Sequence, residues 1–299
     1  MPNSPIIPQA EEAASSLPPL LVEAERVANT VAQGVHGRRK KGQGDSFWQF
    51  RPYEQGESTR TIDWRQSAKT EHHFVREHEW EAAQTVWLWC DPSASMKYSA
   101  APTRPDKLHR AEILMLALAS LLVRGGEQIG LLGYEAPPGR GRPALHRLAN
   151  VLEKKKKKKA EKEEKLQSLP SHAHLPRHGE LVLIGDFLSP MDEIEEALKR
   201  YSRRHVRGHL LQVLDPAEES LPFEGRVQFK GLEKEGSIYF GNVAAVREDY
   251  QERLSARRAA LNELAHSLGW GFHRHTTDQS PEAALLALFM SITQGGKQC

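Results

Sequence analysis

A chain of 299 residues with 39% apolar side chains is long enough to bury one large core, or a medium core with an appended module, and is globular rather than wholly disordered. Its 41 lysines and arginines are nearly balanced by 39 acids, for a formal charge of +2, so overall charge singles out neither nucleic acid nor an anionic surface as partner. The two cysteines, Cys90 inside an apolar run and Cys299 at the last position, argue against a disulfide framework and for a reducing cytoplasm. Residues 1–19 carry no basic-then-apolar signal segment, and the longest apolar run, residues 113–123, is too short to span a bilayer. Direct membrane insertion is not expected.

Residues 1–36 read as a flexible leader followed by a short helix with Leu21, Ala24, Val27, Ala28 and Val31 on one face. The basic link His36-Gly37-Arg38-Arg39-Lys40-Lys41-Gly42 leads into residues 37–82. They continue as a small, aromatic-rich N-terminal extension of short strands and turns, expected to pack on the main domain. Arg60, Asp63, Arg65, Arg76, Glu77 and Glu81 suit an ion-pair lattice within it.

The main domain, residues 83–294, alternates strands and helices. Strand 85–90 leads to helix 106–124, stopped by Gly125-Gly126, and strand 128–134 follows. After a Pro/Gly-rich loop a helix begins near Ala144, and a strand at 181–185 ends on Asp186. Helix 191–203, strand 207–214, a polar hairpin within 227–240, a long helix 243–268, strand 270–275 and helix 281–292 complete the order. Such alternation predicts an α/β fold with a mainly parallel central sheet covered by helices on both faces. Residues 153–165 interrupt it with the unbroken run Lys154–Lys159, whose like charges fit an exposed helix extension or a disordered insertion. No aromatic residue interleaves with those lysines to stack bases, so nucleic acid is not the expected partner. Glu112 reads as helix surface, Trp87 and Trp89 as core packing, and the pairs His172/His174 and His273/His275 as surface or strand-end histidines, since neither pair has the further ligands zinc requires.

Asp91-Pro92-Ser93-Ala94-Ser95 is the segment most suggestive of chemistry. It follows the apolar strand directly, and alternate residues of a tight turn there can aim one carboxylate and two hydroxyls at a common point. Asp186 ends a second apolar strand, and two adjacent parallel strands would bring it to the same sheet edge. Hard cations take such oxygen ligands, although Asp and Ser after a strand also cap helices and make local turns.

These residues resemble the DxSxS motif of the von Willebrand factor A domain. Upstream, residues 51–57, 60–69 and 75–81 resemble the signature of the bacterial domain-of-unknown-function 58 family, and with the alternation the resemblance covers about residues 45–292. It implies a von Willebrand factor A-like fold and an adhesion-type metal site in which Ser93 and Ser95 contact the ion directly and Asp91 and Asp186 act directly or through water. Magnesium is the implied cofactor, with manganese or calcium as alternatives. A loop threonine normally completes that set, and the loop matched to it, Gly139-Arg140-Gly141-Arg142-Pro143, has none; Arg140 or Arg142 beside the site would suit an anionic partner. The resemblance further implies a noncatalytic protein-binding role with a MoxR-type AAA+ ATPase in the assembly or maturation of other proteins, an acidic partner residue completing the metal's coordination. Two other classes stay open: a metal-assisted phosphoester hydrolase at the same edge, for which a complete catalytic set is missing, and a polyanion binder acting through the lysine run.

Overall fold

Five strands hydrogen-bond side by side in the computed structural model, which describes residues 19–36, 47–53, 62–69, 73–78, 85–134, 136–159, 167–171, 173, 175–177, 179–232 and 236–295. The chain divides into two compact units, residues 35–83 and the remainder. In the larger unit, β3 (Thr85–Cys90), β4 (Gln128–Leu131), β5 (Glu180–Gly185), β6 (Arg207–Leu214) and β9 (Gly271–Thr276) form one sheet in the order β4-β3-β5-β6-β9. Every pairing in it is parallel, so the expected α/β architecture is what the chain adopts. All six residues of β5 are buried, as a strand covered on both faces requires.

The helices of this unit are α1 (Pro19–His36), α3 (Lys107–Arg124), α4 (Gly141–Lys159), α5 (Met191–Ser202), α6 (Pro216–Ser220), α7 (Arg247–Ser267) and α8 (Pro281–Gly295). In α1 the predicted face Leu21, Ala24, Val27, Ala28 and Val31 is buried. Helix α3 starts at the N-cap Asp106, whose Oδ1 accepts the His109 N–H at 2.7 Å, which satisfies one of the four donors a helix start leaves open. Residues 111–122 of α3 are all buried, because α4 and α8 close around the faces that the sheet leaves free. Glu112, read from sequence as surface, is therefore only 5% exposed. Strand β4 is shorter than expected: Gly133 takes φ 85° and turns the chain back, so that Gly139 bridges Ile129 antiparallel. The long helix expected at 243–268 begins as a 3-10 turn, Val243–Val246, and continues as α7, which buries Leu254, Leu261 and Ala265. Strands β7 (Val227–Lys230) and β8 (Ser237–Phe240) form the expected antiparallel hairpin.

In the smaller unit β1 (Phe47–Pro52) pairs antiparallel with β2 (Phe74–His78), and the short helix α2 (Trp64–Ser67) lies between them in sequence. Ser67 ties that unit together: its hydroxyl donates to the Asp63 carbonyl at 2.8 Å and accepts the Phe74 N–H at 2.9 Å. Asp63 accepts the Arg65 backbone N–H at 3.1 Å, a local turn. Arg60 and Glu81 of the expected lattice lie outside the described residues, as do His172, His174 and residues 160–165. Helix α4 continues to Lys159, with Lys154 exposed. No helix among the described residues is long and apolar enough to cross a membrane.

His275, on β9, is 4% exposed, and burial, with the Arg110 charge second, pushes its imidazole down to about 4. The unfolded chain then binds a proton that the folded chain refuses. Stability contributed above the ordinary histidine value of about 6.5 is lost as pH falls from there toward about 4, a loss of about 3 kcal/mol. Urea titrations across that window should show His275→Gln losing less stability on acidification than wild type; equal losses would assign the acid sensitivity elsewhere.

Candidate metal centre at the carboxyl edge of the sheet

Chain connections leave β3 toward β4 on one side and β5 toward β6 on the other, so the crevice beyond the carboxyl ends of β3 and β5 is a topological switch point, where open α/β sheets bind ligands. Asp91 and Asp186 are the first residues beyond those two strands. The Asp91 N–H donates to the Ile184 carbonyl at 2.8 Å, carrying the ladder one step past the strand. Its Oδ1 accepts the Ser93 N–H at 2.8 Å and turns the chain. This close crossing requires Gly185: a Cβ there would stand 2.9 Å from the Asp91 Cβ.

The turn brings three of the predicted side chains, Ser93, Ser95 and Asp186, into one hydrogen-bonded row, while the Asp91 carboxylate holds the turn through the Ser93 N–H. Ser93 Oγ lies 3.0 Å from Ser95 Oγ, and Ser95 Oγ donates to Asp186 Oδ2 at 2.7 Å. Asp91 and Ser93 are fully buried and Asp186 is 1% exposed. Neither serine caps a helix: the 3-10 turn Ser95–Lys97 has Ala94 at its cap with no side-chain bond, and α3 is capped by Asp106.

Asp186 is fixed from several directions. Its Oδ1 accepts the Leu188 N–H at 3.2 Å, and its carbonyl accepts from Gln212 Nε2 at 3.0 Å. The next residue, Phe187, holds φ 53° while 2% exposed, a left-handed conformation that costs a bulky residue about 1–3 kcal/mol. Arg257 of α7 clamps that bend by donating to the Phe187 carbonyl at 2.9 and 2.6 Å and to the Ser189 carbonyl.

The most consequential residue at this edge went unmarked in the sequence reading. Lys107, in the first turn of α3, is fully buried, and its Nζ donates to Asp186 Oδ2 at 3.0 Å and to Glu218 Oε1 at 2.7 Å. Burial alone would depress the ammonium, but the Asp186 and Glu218 carboxylates outweigh it and hold Lys107 above its usual value. Glu218 is raised in turn, because its own burial exceeds the pull of Lys107. Glu218 belongs to a capping box at α6: its Oε2 accepts the Asp215 N–H at 2.8 Å while Asp215 Oδ1 accepts the Ala217 N–H at 2.8 Å. Asp215 Oδ2 also accepts from Ala100 N–H and Thr277 Oγ1, each at 3.3 Å. The only sequence signal for Lys107 is a cation placed directly after a helix cap at the head of an apolar run.

The match of this donor set to a hard cation can be judged from its spacing. Octahedral magnesium with bonds of 2.0–2.1 Å sets neighbouring ligand oxygens about 2.9 Å apart. The separations of 3.0 Å and 2.7 Å along Ser93, Ser95 and Asp186 bracket that edge length. Among the described residues no group of three or more His, Cys, Asp or Glu has metal-holding spacing; the set here is two carboxylates and two hydroxyls, which fits an ion that keeps several waters.

The arginine loop is elsewhere. Because Gly139 pairs back onto Ile129, residues 140–143 come to the amino ends of the strands, where the Arg140 guanidinium faces the Gln128 side-chain amide. From Gln128 to the site is the length of a strand, so neither Arg140 nor Arg142 stands beside Asp91. The segment that reaches the carboxyl edge is 167–171: Ser168 Oγ lies 2.5 Å from Ser189 Oγ. Gln167, Leu169 and Ser171 line a cavity of about 190 Å³ with Trp89, Cys90 and Pro92.

Uncharacterized proteins of Mycobacterium bovis and Mycobacterium tuberculosis are each 25% identical to this chain over 290 residues, covering 94% of it and 90% of their own length. Among solved structures, the conserved hypothetical protein BatB of Bacteroides thetaiotaomicron is 15% identical, spanning 72% of this chain and 100% of its own, with a TM-score of 0.43. An aerotolerance-related membrane protein of Bacteroides fragilis is 17% identical over 71% of this chain and 100% of its own, with a TM-score of 0.42. Residues 49–260, which take in part of the small unit and four of the five strands of the sheet, match the family described as Protein of unknown function DUF58, and the chain belongs to that family.

Proposed function

We propose that this DUF58 protein is a noncatalytic protein-binding module of von Willebrand factor A type, built around a divalent cation on Asp91, Ser93, Ser95 and Asp186. The observation that carries the proposal is the row Ser93 Oγ, Ser95 Oγ and Asp186 Oδ2, spaced 3.0 Å and 2.7 Å at the switch point of the sheet. A bound magnesium ion supplies a Lewis-acidic position that an incoming carboxylate can fill. The chain's part is to present hydroxyls and carboxylates in a rigid, water-poor crevice. The partner class is an acidic surface, and the family resemblance points to a MoxR-type AAA+ ATPase acting in assembly or maturation of other proteins.

Adding magnesium to the purified protein is expected to raise its melting temperature, and Asp91→Ala should abolish the rise. Equal responses in both proteins would reject the site. Co-purification with a MoxR-type ATPase of the same genome, with magnesium and with chelator, then tests the partner. Loss of the complex in Ser93→Ala and in chelator is the expected result; unchanged recovery would separate partner from site.

A further inference from the structure

We infer that Lys107 is a built-in competitor for the cation position and that Glu218 is the carboxylate that receives its ammonium when an ion arrives, an inference that rests on the metal reading above. Both carboxylate oxygens of Asp186 are already committed: Oδ1 to the Leu188 N–H at 3.2 Å, and Oδ2 to Ser95 Oγ at 2.7 Å and Lys107 Nζ at 3.0 Å. Oδ2 is the atom that continues the row of metal-spaced oxygens, so the ammonium and an ion draw on the same lone pairs. In the ion-free protein Lys107 therefore acts as the positive charge of the site, neutralising part of a buried acidic edge that holds Asp91, Asp186 and Asp215.

The arrangement also contains the exit for that charge. Glu218 Oε1 stands 2.7 Å from Nζ, and its other oxygen is pinned by the Asp215 N–H at 2.8 Å, so the receiving group does not move away. An ammonium has three donors. Lys107 can release Asp186 and keep Glu218 with a small rotation of its flexible stem, staying paired while buried, whereas an unpaired buried ammonium would be prohibitive. Loading is then an exchange of cations on Asp186 rather than the filling of a vacant charge pocket. Affinity is held down by the repulsion between the ion and Lys107, and by the loss of one charge-assisted hydrogen bond.

The test is a titration of the full-length protein with magnesium by calorimetry, repeated with manganese by electron paramagnetic resonance. Lys107→Met and Lys107→Gln should each bind the ion at least about tenfold more tightly than wild type. Glu218→Gln should bind it more weakly, because Lys107 then has only Asp186 to pair with. In the Lys107→Met background the same Glu218→Gln change should have a much smaller effect. Two substitutions at position 107 guard against one that fails to fold, and Glu218, 19% exposed, is the milder site. Tighter binding in either Lys107 variant, together with the reduced effect of Glu218→Gln, supports the exchange. Unchanged or weaker binding in the Lys107 variants, with Asp91→Ala still abolishing it, overturns the exchange and leaves the metal site standing. No binding by any of the proteins overturns both.

Discussion

Asp186→Ala is expected to destabilise the ion-free protein by about 3–5 kcal/mol, the range for breaking one member of a buried charge pair. The carboxylate is 1% exposed and accepts from Lys107, Ser95 and the Leu188 N–H. Truncation leaves the fully buried Lys107 ammonium with one carboxylate, Glu218, in place of two, takes the acceptor from the Leu188 N–H and leaves the Ser95 hydroxyl with Ser93 Oγ alone. Water can re-enter from the crevice, which is why the lower part of the range is the better guide to magnitude. Urea unfolding in chelator reads the effect through the midpoint, with an unchanged slope confirming that the same cooperative unit unfolds. Adding Lys107→Met to Asp186→Ala should cost less than the sum of the two single changes, because the ammonium that Asp186 helped to compensate is then gone. A loss below about 1 kcal/mol, the scale of a solvated surface pair, would mean that Lys107 and Asp186 are not coupled in solution.

Gly208→Val should be as damaging, for a steric reason. Gly208 lies on β6 directly beneath the Trp270 indole, and a Cβ added to it would come within 2.0–2.3 Å of Cε3, Cδ2 and Cζ3 of that ring. Trp270 is 5% exposed, packs in the core cluster with Leu181, Leu210 and Ala265, and donates from Nε1 to the Val206 carbonyl at 3.1 Å. No small shift relieves an overlap of that depth, so the ring must leave its slot. The cost combines overpacking, about 1–3 kcal/mol, with part of the loss from unseating a buried tryptophan, about 3–5 kcal/mol when it is removed outright. A total of about 3 kcal/mol or more is expected from chemical denaturation. Pairing Gly208→Ala with Trp270→Leu should be less destabilising than the sum of the two, because the second change removes the atoms that the first collides with. Strict additivity would show that the indole does not occupy this slot.

The two residues at the centre of these predictions were legible to different degrees. Asp186 stands out in the sequence because an acid directly after Leu181-Val182-Leu183-Ile184-Gly185 ends a run that reads as a strand buried on both faces. The same signal marks Asp91 after Thr85–Cys90, and the alternation of strand and helix announces a parallel sheet before any contact is known. Gly208 is anonymous in the sequence, since the ring that forbids a side chain there is Trp270, on a neighbouring element.

Lys107 shows the limit most clearly. A lysine in the first turn of an apolar helix ordinarily snorkels to solvent. Its burial depends on Asp186, 79 positions away, and Glu218, 111 positions away. The arginine loop misled for a related reason: its composition suits an anion, but one antiparallel bridge between Ile129 and Gly139 carries it to the far end of the strands. Local periodicity and turn chemistry thus determined the strands and helices, the parallel class of the sheet and the oxygen-bearing ends of β3 and β5, because each depends on neighbours within a few residues. The order β4-β3-β5-β6-β9, which makes those two ends adjacent, and the Lys107 ammonium paired with Asp186 and Glu218 were decided only by tertiary packing, because burial and charge pairing between distant segments leave no local trace in the chain.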